Sequence, residues 1–435
     1  MRALYTLLVA LALPFASLIV LWRGFRERSY WIGWPERFGY GSRLSDGASG
    51  LWVHAVSVGE VQAAAALVAA LRSQWPDRPL TVTSATPSGR TRAAAALGQG
   101  VDVRYSPYDL PWCVRGTLRR LQPALLVIME TELWPNMLGE CARAGVPVLI
   151  ASARLSARSA ALLARCPSLL QPALGSMVSV AAQSAADAQR FKALGVPADR
   201  VQICGNIKFD RTGVETLQPN GQTLRAQYAA ARPMWVAGST HPGEEQAALT
   251  AHLTLRATRG DALLVLAPRH RPRFDEVAAL VERSGLRWQR RSAVLDATRN
   301  VTPDGEAAVL LLDTLGELEI FYAAADVAFV GGSLVPVGGH NLLEPAALGI
   351  ATLTGPYQHS APDVARLLTD NGGLQVVRDA AELGAGLLAL LADPTARARM
   401  ASAAFKVIAA NRGALVRVLA LAKARLSQRA PPTRR

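Results

Sequence analysis

From residue 51 onward the apolar positions come in short runs, each followed by a polar loop and then a longer segment with helical spacing. Strands are expected at 51–56, 80–84, 101–105, 124–129, 148–152, 178–182 and 201–204, with helices such as 61–72 between most of them. This alternation predicts a parallel sheet covered by helices on both faces. Between 210 and 233 the pattern fades into a polar stretch ending in Ala-Arg-Pro. A second series then begins, with strands expected at 234–237, 263–267, 308–312, 327–330, 351–353 and 374–377 and helices at 244–255, 274–283, 317–324 and 341–348. Residues 398–426 read as one long helical tail. The expected organisation is an N-terminal anchor (1–28), a first Rossmann-like domain (29–212), a linker (213–232), a second Rossmann-like domain (233–400) and a helical tail (401–435). The fold class is α/β, two Rossmann-like doubly wound domains facing a cleft at the carboxyl ends of their strands. Transferases, epimerases and dehydrogenases all use such domains. No GxGxxG follows the first strand of either half, which weakens a dinucleotide reading.

The first apolar run is of another kind. Residues 3–22 are almost uncharged, Arg2 precedes them, and Arg23, Arg26 and Arg28 follow. A bilayer-crossing helix needs roughly 20 apolar residues, so the run is just long enough. Pro14 would kink it, which membrane helices tolerate. A retained anchor is expected, with the heavier positive flank keeping the rest of the chain in the cytoplasm. A helix lying on the membrane surface is the alternative.

Composition narrows the partners. Of 435 residues, 50% are hydrophobic and 18% charged, which supports sizeable cores. Lys and Arg outnumber Asp and Glu by 47 to 33, a net charge of +14 that suits an anionic partner. No nucleic-acid-binding motif accompanies the charge, so phosphorylated substrates and anionic lipids fit better than nucleic acid. Cys113, Cys141, Cys166 and Cys204 lack CxxC spacing and read as reduced, mostly buried thiols. His54, His241, His270, His340 and His359 form no recognisable metal set, and neither a metal nor a cofactor is expected.

The candidate chemistry lies where strands end. Gly331-Gly-Ser-Leu-Val-Pro-Val-Gly-Gly-His-Asn-Leu-Leu-Glu-Pro345 follows a strand and enters a helix, a natural approach for a phosphate, and Glu344 is placed to accept ribose hydroxyls. Asn341 and Glu344 equally fit a helix cap with its reciprocal partner. Ser239, Thr240 and Arg269 end neighbouring strands and are candidate phosphate contacts. In the first half, Glu60 opens a helix after His54-Ala-Val-Ser-Val-Gly, and Glu130 and Glu132 end an apolar strand. Sugar transfer with inversion needs a base for the acceptor hydroxyl, and Glu60 is the candidate, expected to be held ionised by the helix start. It also fits an ordinary N-terminal helix charge. Lys208 is placed to offset charge on a departing phosphate, or is an exposed lysine.

Taken together, Glu36-Arg-Phe-Gly39, Trp52-Val-His-Ala-Val-Ser-Val-Gly-Glu60, Met129-Glu-Thr-Glu-Leu-Trp-Pro-Asn136, Gly205-Asn-Ile-Lys-Phe-Asp210, Ala237-Gly-Ser-Thr-His-Pro-Gly-Glu-Glu245, Ala267-Pro-Arg-His270, Asp313-Thr-Leu-Gly-Glu317 and Gly338-Gly-His-Asn-Leu-Leu-Glu-Pro345 occur in order. In these stretches the chain resembles the 3-deoxy-D-manno-octulosonic acid (Kdo) transferases of lipopolysaccharide biosynthesis over nearly its full length. The resemblance implies an inverting, metal-independent transferase of the GT-B arrangement, with CMP-Kdo as donor and the tetraacylated, bisphosphorylated lipid A precursor as acceptor. It implies Glu60 as proton acceptor and Glu130 and Lys208 as transition-state stabilisers. It also implies CMP contacts at Pro268 and Arg269, at Thr314, Leu315 and Gly316, and at Asn341, Leu342, Leu343 and Glu344. A nucleotide-sugar epimerase of the same architecture is the competing function.

Overall fold

The computed structural model describes residues 1–26, 28–43, 49–210, 214–295 and 302–427. The chain divides into two compact units, Met1–Asp210 with Asn411–Arg435, and Arg211–Ala410.

The first unit holds β1 (Leu51–His54), β2 (Leu80–Ser84), β3 (Val101–Tyr105), β4 (Leu125–Met129), β5 (Val148–Ala153), β6 (Val178–Ala182) and β7 (Val201–Ile203). They form one parallel sheet in the order β3-β2-β1-β4-β5-β6-β7. Both faces are covered, so the strands are apolar at nearly every position rather than alternating. Side chains still sort by the strand period. Leu51, Val53 and Val127 pack with helix Val58–Gln74 on one face, and Trp52, Leu126 and Ile128 pack with helix Pro135–Arg143 on the other.

The second unit repeats the plan with β8 (Met234–Thr240), β9 (Leu263–Pro268), β10 (Trp288–Arg290), β11 (Val309–Leu311), β12 (Val327–Val330), β13 (Ala351–Thr354) and β14 (Gln375–Val376). The order is β10-β11-β9-β8-β12-β13-β14, again parallel throughout. In both units the winding reverses beside the first strand, between β1 and β4 and between β8 and β12. Doubly wound sheets bind ligands at such switch points.

Two expected boundaries differ from the structure. The 213–232 stretch, expected as a linker, carries helix Val214–Tyr228 of the second unit. Its polar sequence and internal Pro219 hide its partner, helix Leu318–Ala324, against which Gly221 packs so closely that a Cβ would lie 2.7 Å from Ala323. Arg225 holds the pair by an ion pair of 2.9 Å to Asp326. The long tail is two helices, Pro394–Asn411 and Ala414–Ser427, divided at Gly413, whose φ of +84° no continuous helix allows. The first belongs to the second unit, where Ala404 packs on Gly373. The second returns to the first unit and buries Ala414, Val418 and Ala422 beside β4 and helix Val58–Gln74. Arg417 fastens it through Nε and Nη2 bonds of 2.9 and 2.7 Å to the Cys204 carbonyl.

The apolar N-terminal run is a helix, Arg2–Arg26, long and apolar enough to cross a membrane. Near its start, Tyr5 donates to Asp109 Oδ2 at 2.9 Å and Thr6 to Asn136 Oδ1 at 3.0 Å, while Arg2 pairs with buried Glu140 at 3.8 Å. At its other end Gly24 packs under Trp31, and the chain enters the 3-10 turn Trp34–Phe38, where Glu36 bonds Arg90 at 3.2 Å and the Tyr105 amide at 2.7 Å. Both ends are thus fastened to the same unit. Leu4, Leu8, Leu11, Phe15, Leu18 and Trp22, spaced alternately by four and three residues, form an exposed apolar stripe.

Candidate active site

In the first unit the switch point is built by the residues that follow β1 and β4. Ser57 caps helix Val58–Gln74, and its hydroxyl accepts from the Glu60 amide at 3.3 Å. Glu60 reaches back to accept from the Val56 amide and the Ser57 hydroxyl, both at 2.9 Å. This is a capping box, and it orients the carboxylate. From sequence the helix start was expected to hold Glu60 ionised; the structure moves its proton affinity the other way. Burial, with smaller contributions from the charges of Glu132 and Glu130, pushes its pKa up to about 7 against the lowering effect of those two hydrogen bonds.

Glu130 leaves β4 in the left-handed region, at φ +55°, a conformation a branched or charged residue rarely adopts without tertiary support. Its amide is held by the Ala151 carbonyl at 2.9 Å, and its Oε1 receives Lys208 Nζ at 2.6 Å. Lys208 is set by Asn206, whose side chain accepts from its amide at 3.0 Å. Glu60, Glu130 and Lys208, separated widely in sequence, therefore gather in one unit, and Lys208 is ion-paired rather than a loose surface lysine.

Two further residues stand in this group, named among the strand ends but assigned no role from sequence. Glu132 accepts from Trp134 Nε1 at 2.6 Å and adds negative charge beside Glu60. His54, fully buried at the end of β1, contacts Thr83 and Ser106 through Nδ1 at 3.0 and 3.3 Å and sets its ring edge-on to Trp134, centroids 4.7 Å apart. Burial lowers its pKa to about 3, so it is neutral. Its Nε2 has no hydrogen-bond partner, and the Trp134 ring stands beside it.

In the second unit the nucleotide candidates end four neighbouring strands, β11, β9, β8 and β12. Pro268 is buried at the end of β9, and Arg269 and His270 beyond it are exposed. The Thr314–Gly316 turn projects Leu315, which is 69% exposed, and Gly316 takes φ +87°. Thr314 donates to Glu317, which also pairs with Arg291 at 2.7 Å. Asn341 is exposed, and Glu344 is half-buried. They bond each other without making the expected cap, since the N-cap of helix Leu343–Ala347 is Leu342, which makes no side-chain cap bond: Asn341 accepts from the Leu343 amide at 3.1 Å and donates to Glu344 Oε1 at 3.0 Å. Leu342 and Leu343 bury their side chains, leaving only backbone to face a ligand. Ser239 sits at φ +57°, while Thr240 is fully buried with an unpartnered hydroxyl, so it is not presented at the surface as the sequence led one to expect.

The glycine-rich loop is also used differently than expected. Its amides at Gly332, Ser333 and Leu334 donate to the fully buried carboxylate of Glu244 at 2.6, 2.8 and 2.8 Å, and the His241 amide adds a fourth bond at 2.9 Å. Glu244 thus ties the loop after β8 to the loop after β12. The glycines serve this approach, since a Cβ on Gly331 would lie 2.9 Å from Glu244 Oε2. Above the loop, His241 and His340 share a hydrogen bond between their Nε2 atoms at 2.8 Å. Burial first, then the charge of Arg269, drives His340 down to about 4. Among the described residues no three His, Cys, Asp or Glu side chains are grouped to hold a metal.

The chain has clear relatives among known proteins. Residues 32–211 match the family described as 3-Deoxy-D-manno-octulosonic-acid transferase (kdotransferase). The 3-deoxy-D-manno-octulosonic acid transferase of Haemophilus influenzae is 37% identical over 424 residues, covering 97% of this chain and 98% of that protein. Among solved structures, the calicheamicin glycosyltransferase CalG4 (TM-score 0.53, 14% identity, 89% of this chain and 100% of that one) shares the fold. So does the UDP-GlcNAc 2-epimerase from Neisseria meningitidis bound to UDP-GlcNAc (TM-score 0.54, 12% identity, 86% of this chain and 100% of that one). The two solved structures establish the GT-B type of fold, and the near full-length match decides the family: the chain belongs to the 3-deoxy-D-manno-octulosonic acid transferases.

Proposed function

We propose that this enzyme transfers Kdo from CMP-Kdo to the tetraacylated, bisphosphorylated lipid A precursor with inversion, using Glu60 as the base. The observation that carries the reading is a carboxylate oriented by Val56 and Ser57 and shifted to about 7, beside the Glu130–Lys208 pair at a switch point. A base works best when its pKa lies near the working pH. In the step, the acceptor hydroxyl gives its proton to Glu60 while its oxygen bonds to the anomeric carbon of Kdo. The bond from that carbon to the CMP phosphate oxygen breaks, and its electron pair leaves with CMP. Lys208, held by Glu130, offsets the negative charge that develops.

CMP is assigned to the second unit, through Arg269, the Thr314–Gly316 turn and the Asn341–Glu344 segment, with Leu342 and Leu343 acting through backbone. Ser239 and Arg269 suit phosphate oxygens. The nucleotide-sugar epimerase alternative rests on shared fold at 12% identity, against 37% for the transferase relative.

The N-terminal helix is assigned to the cytoplasmic face of the inner membrane. A spanning helix would carry Arg2 to the far side of the bilayer, away from Glu140. The polar ties at its start favour a helix lying in the interface, its stripe among acyl chains and its arginines on anionic headgroups. Incubating the full-length protein with CMP-Kdo and the lipid precursor, then weighing the lipid by mass spectrometry, tests the function. A gain of one or more Kdo residues is expected, and an unchanged lipid overturns the reading.

A further inference from the structure

The loop that carries Glu130, Glu132 and Trp134 runs from β4 into helix Pro135–Arg143, and that helix lacks an ordinary start. Its N-cap is Trp134, whose side chain makes no cap bond, and Pro135 at the first helical position has no N–H to satisfy. The amides of Asn136 and Met137, both buried, then need partners from elsewhere. Asp109, which lies just before helix Pro111–Leu121, supplies them. Its Oδ2 accepts from the Asn136 amide at 3.1 Å and its Oδ1 from the Met137 amide at 2.7 Å. Its carbonyl accepts from Asn136 Nδ2 at 2.7 Å. Asp109 is thus a cap borrowed from a distant segment. Its own support comes from the N-terminal helix. Tyr5 donates to the same Oδ2 at 2.9 Å, and the Thr6 hydroxyl lies 3.0 Å from Asn136 Oδ1. One turn further along helix Pro135–Arg143, Arg2 pairs with buried Glu140 at 3.8 Å, passing over Gly139, where a Cβ would lie 1.8 Å from Arg2 Nη1. Attachment to a membrane requires an apolar face and flanking charge. It does not require a hydroxyl bonded to a buried carboxylate.

We infer that Tyr5 is a positioning residue for the transfer reaction: through Asp109 it fixes the start of helix Pro135–Arg143, and with it the loop that holds Glu130 and Glu132 beside the base. The inference rests on the transferase reading and adds to it a role for the N-terminal helix besides attachment. The loop is held at its beginning by the bond from the Glu130 amide to the Ala151 carbonyl at 2.9 Å, and further on by the packing of Trp134 against His54. Its far end is the helix start that Asp109 caps. The charged groups acting on Glu60 are Glu132 and Glu130, the latter paired with Lys208. Asp109 itself is faced by Tyr5 and Arg2 of the N-terminal helix and by Cys141 of helix Pro135–Arg143. A helix start that slips therefore changes the charge around the base as well as the order of the loop.

The test uses the full-length enzyme in detergent micelles with CMP-Kdo and the lipid precursor. Tyr5→Phe removes one hydroxyl and leaves the helix at least as apolar, so attachment to the micelle is kept. It is expected to lower kcat by about tenfold, the equivalent of one hydrogen bond to a charged group, with the KM for CMP-Kdo as in the parent. The rising limb of kcat/KM near pH 7 is expected to move to lower pH, because the loosened loop carries the charges of Glu132 and Glu130 away from Glu60. A simple loss of stability reduces the amount of active enzyme and leaves the limb where it was. Asp109→Ala, which removes the cap itself, should move the limb further in the same direction. In a Glu132→Gln background Tyr5→Phe should shift the limb less than it does in the parent, since one of the two charges is already gone. A limb that stays in place in Tyr5→Phe overturns the inference, whatever happens to kcat. If the parent transfers no Kdo, the transferase reading has failed, and amide hydrogen exchange decides the coupling separately. Faster exchange across residues 130–137 in Tyr5→Phe than in the parent supports it, and equal exchange ends it.

Discussion

The two units share a topology, and each places a glutamate at its switch point, yet the two carboxylates live in opposite circumstances. Glu244 in the second unit is fully buried and accepts four backbone N–H bonds, from His241, Gly332, Ser333 and Leu334. Its acceptor sites are engaged and it serves as a clamp between two loops. Glu60 in the first unit is half-buried, accepts two bonds, and has like charges nearby, so its proton affinity rises to about 7. Topology delivers a carboxylate to each switch point, and the donors around it decide how far its acceptor sites are engaged.

The strongest way to break this contrast is Glu60→Gln. The amide keeps the shape but cannot take a proton, so transfer should fall by about 10²–10⁴-fold while CMP binding, measured by calorimetry, stays as in the parent. Surviving turnover would remove Glu60 from the role of base. Next in size, Glu244→Ala should leave buried amides without partners and lower the stability of the second unit by roughly 3–5 kcal/mol, read from denaturant unfolding. If Glu244→Ala unfolds no more easily than the parent, the clamp is not structural.

The smallest effect sharpens the electrostatics. A carboxyl whose pKa is raised is ionised only above that value, so kcat/KM should climb as pH rises through about 7 and level off beyond it. Because the charge of Glu132 is one cause of the shift, Glu132→Gln should move that rising limb to lower pH without abolishing transfer. A limb that stays in place, or moves up, would show that the neighbouring charge does not act on the base.

Much of the fold was legible because buried parallel strands are nearly continuous apolar runs. The runs at 80–84, 101–105, 178–182 and 327–330 coincide with β2, β3, β6 and β12. What was missed lacked that signal. β10, Trp288–Arg290, is a half-buried edge strand with polar residues, and helix Val214–Tyr228 is polar along most of its length and interrupted by Pro219. For the candidate site, Glu60, Glu130 and Lys208 were visible as polar residues at the ends of apolar runs, and the structure places them in one unit. Glu244 was hidden in plain view within Gly-Ser-Thr-His-Pro-Gly-Glu-Glu, because nothing local says that its acceptors are filled by a loop some ninety residues away.

By itself the sequence determined the two wound sheets, the apolar N-terminal helix and the strand ends that carry the candidate residues, since these follow from short-range periodicity and residue type. Only the tertiary structure decided that the final helix returns to the first unit, that the glycine loop spends its amides on Glu244, and that Glu60 holds its proton to about 7. Those outcomes depend on burial, on long-range hydrogen bonds and on charges from distant segments, none of which is a property of neighbouring residues along the chain.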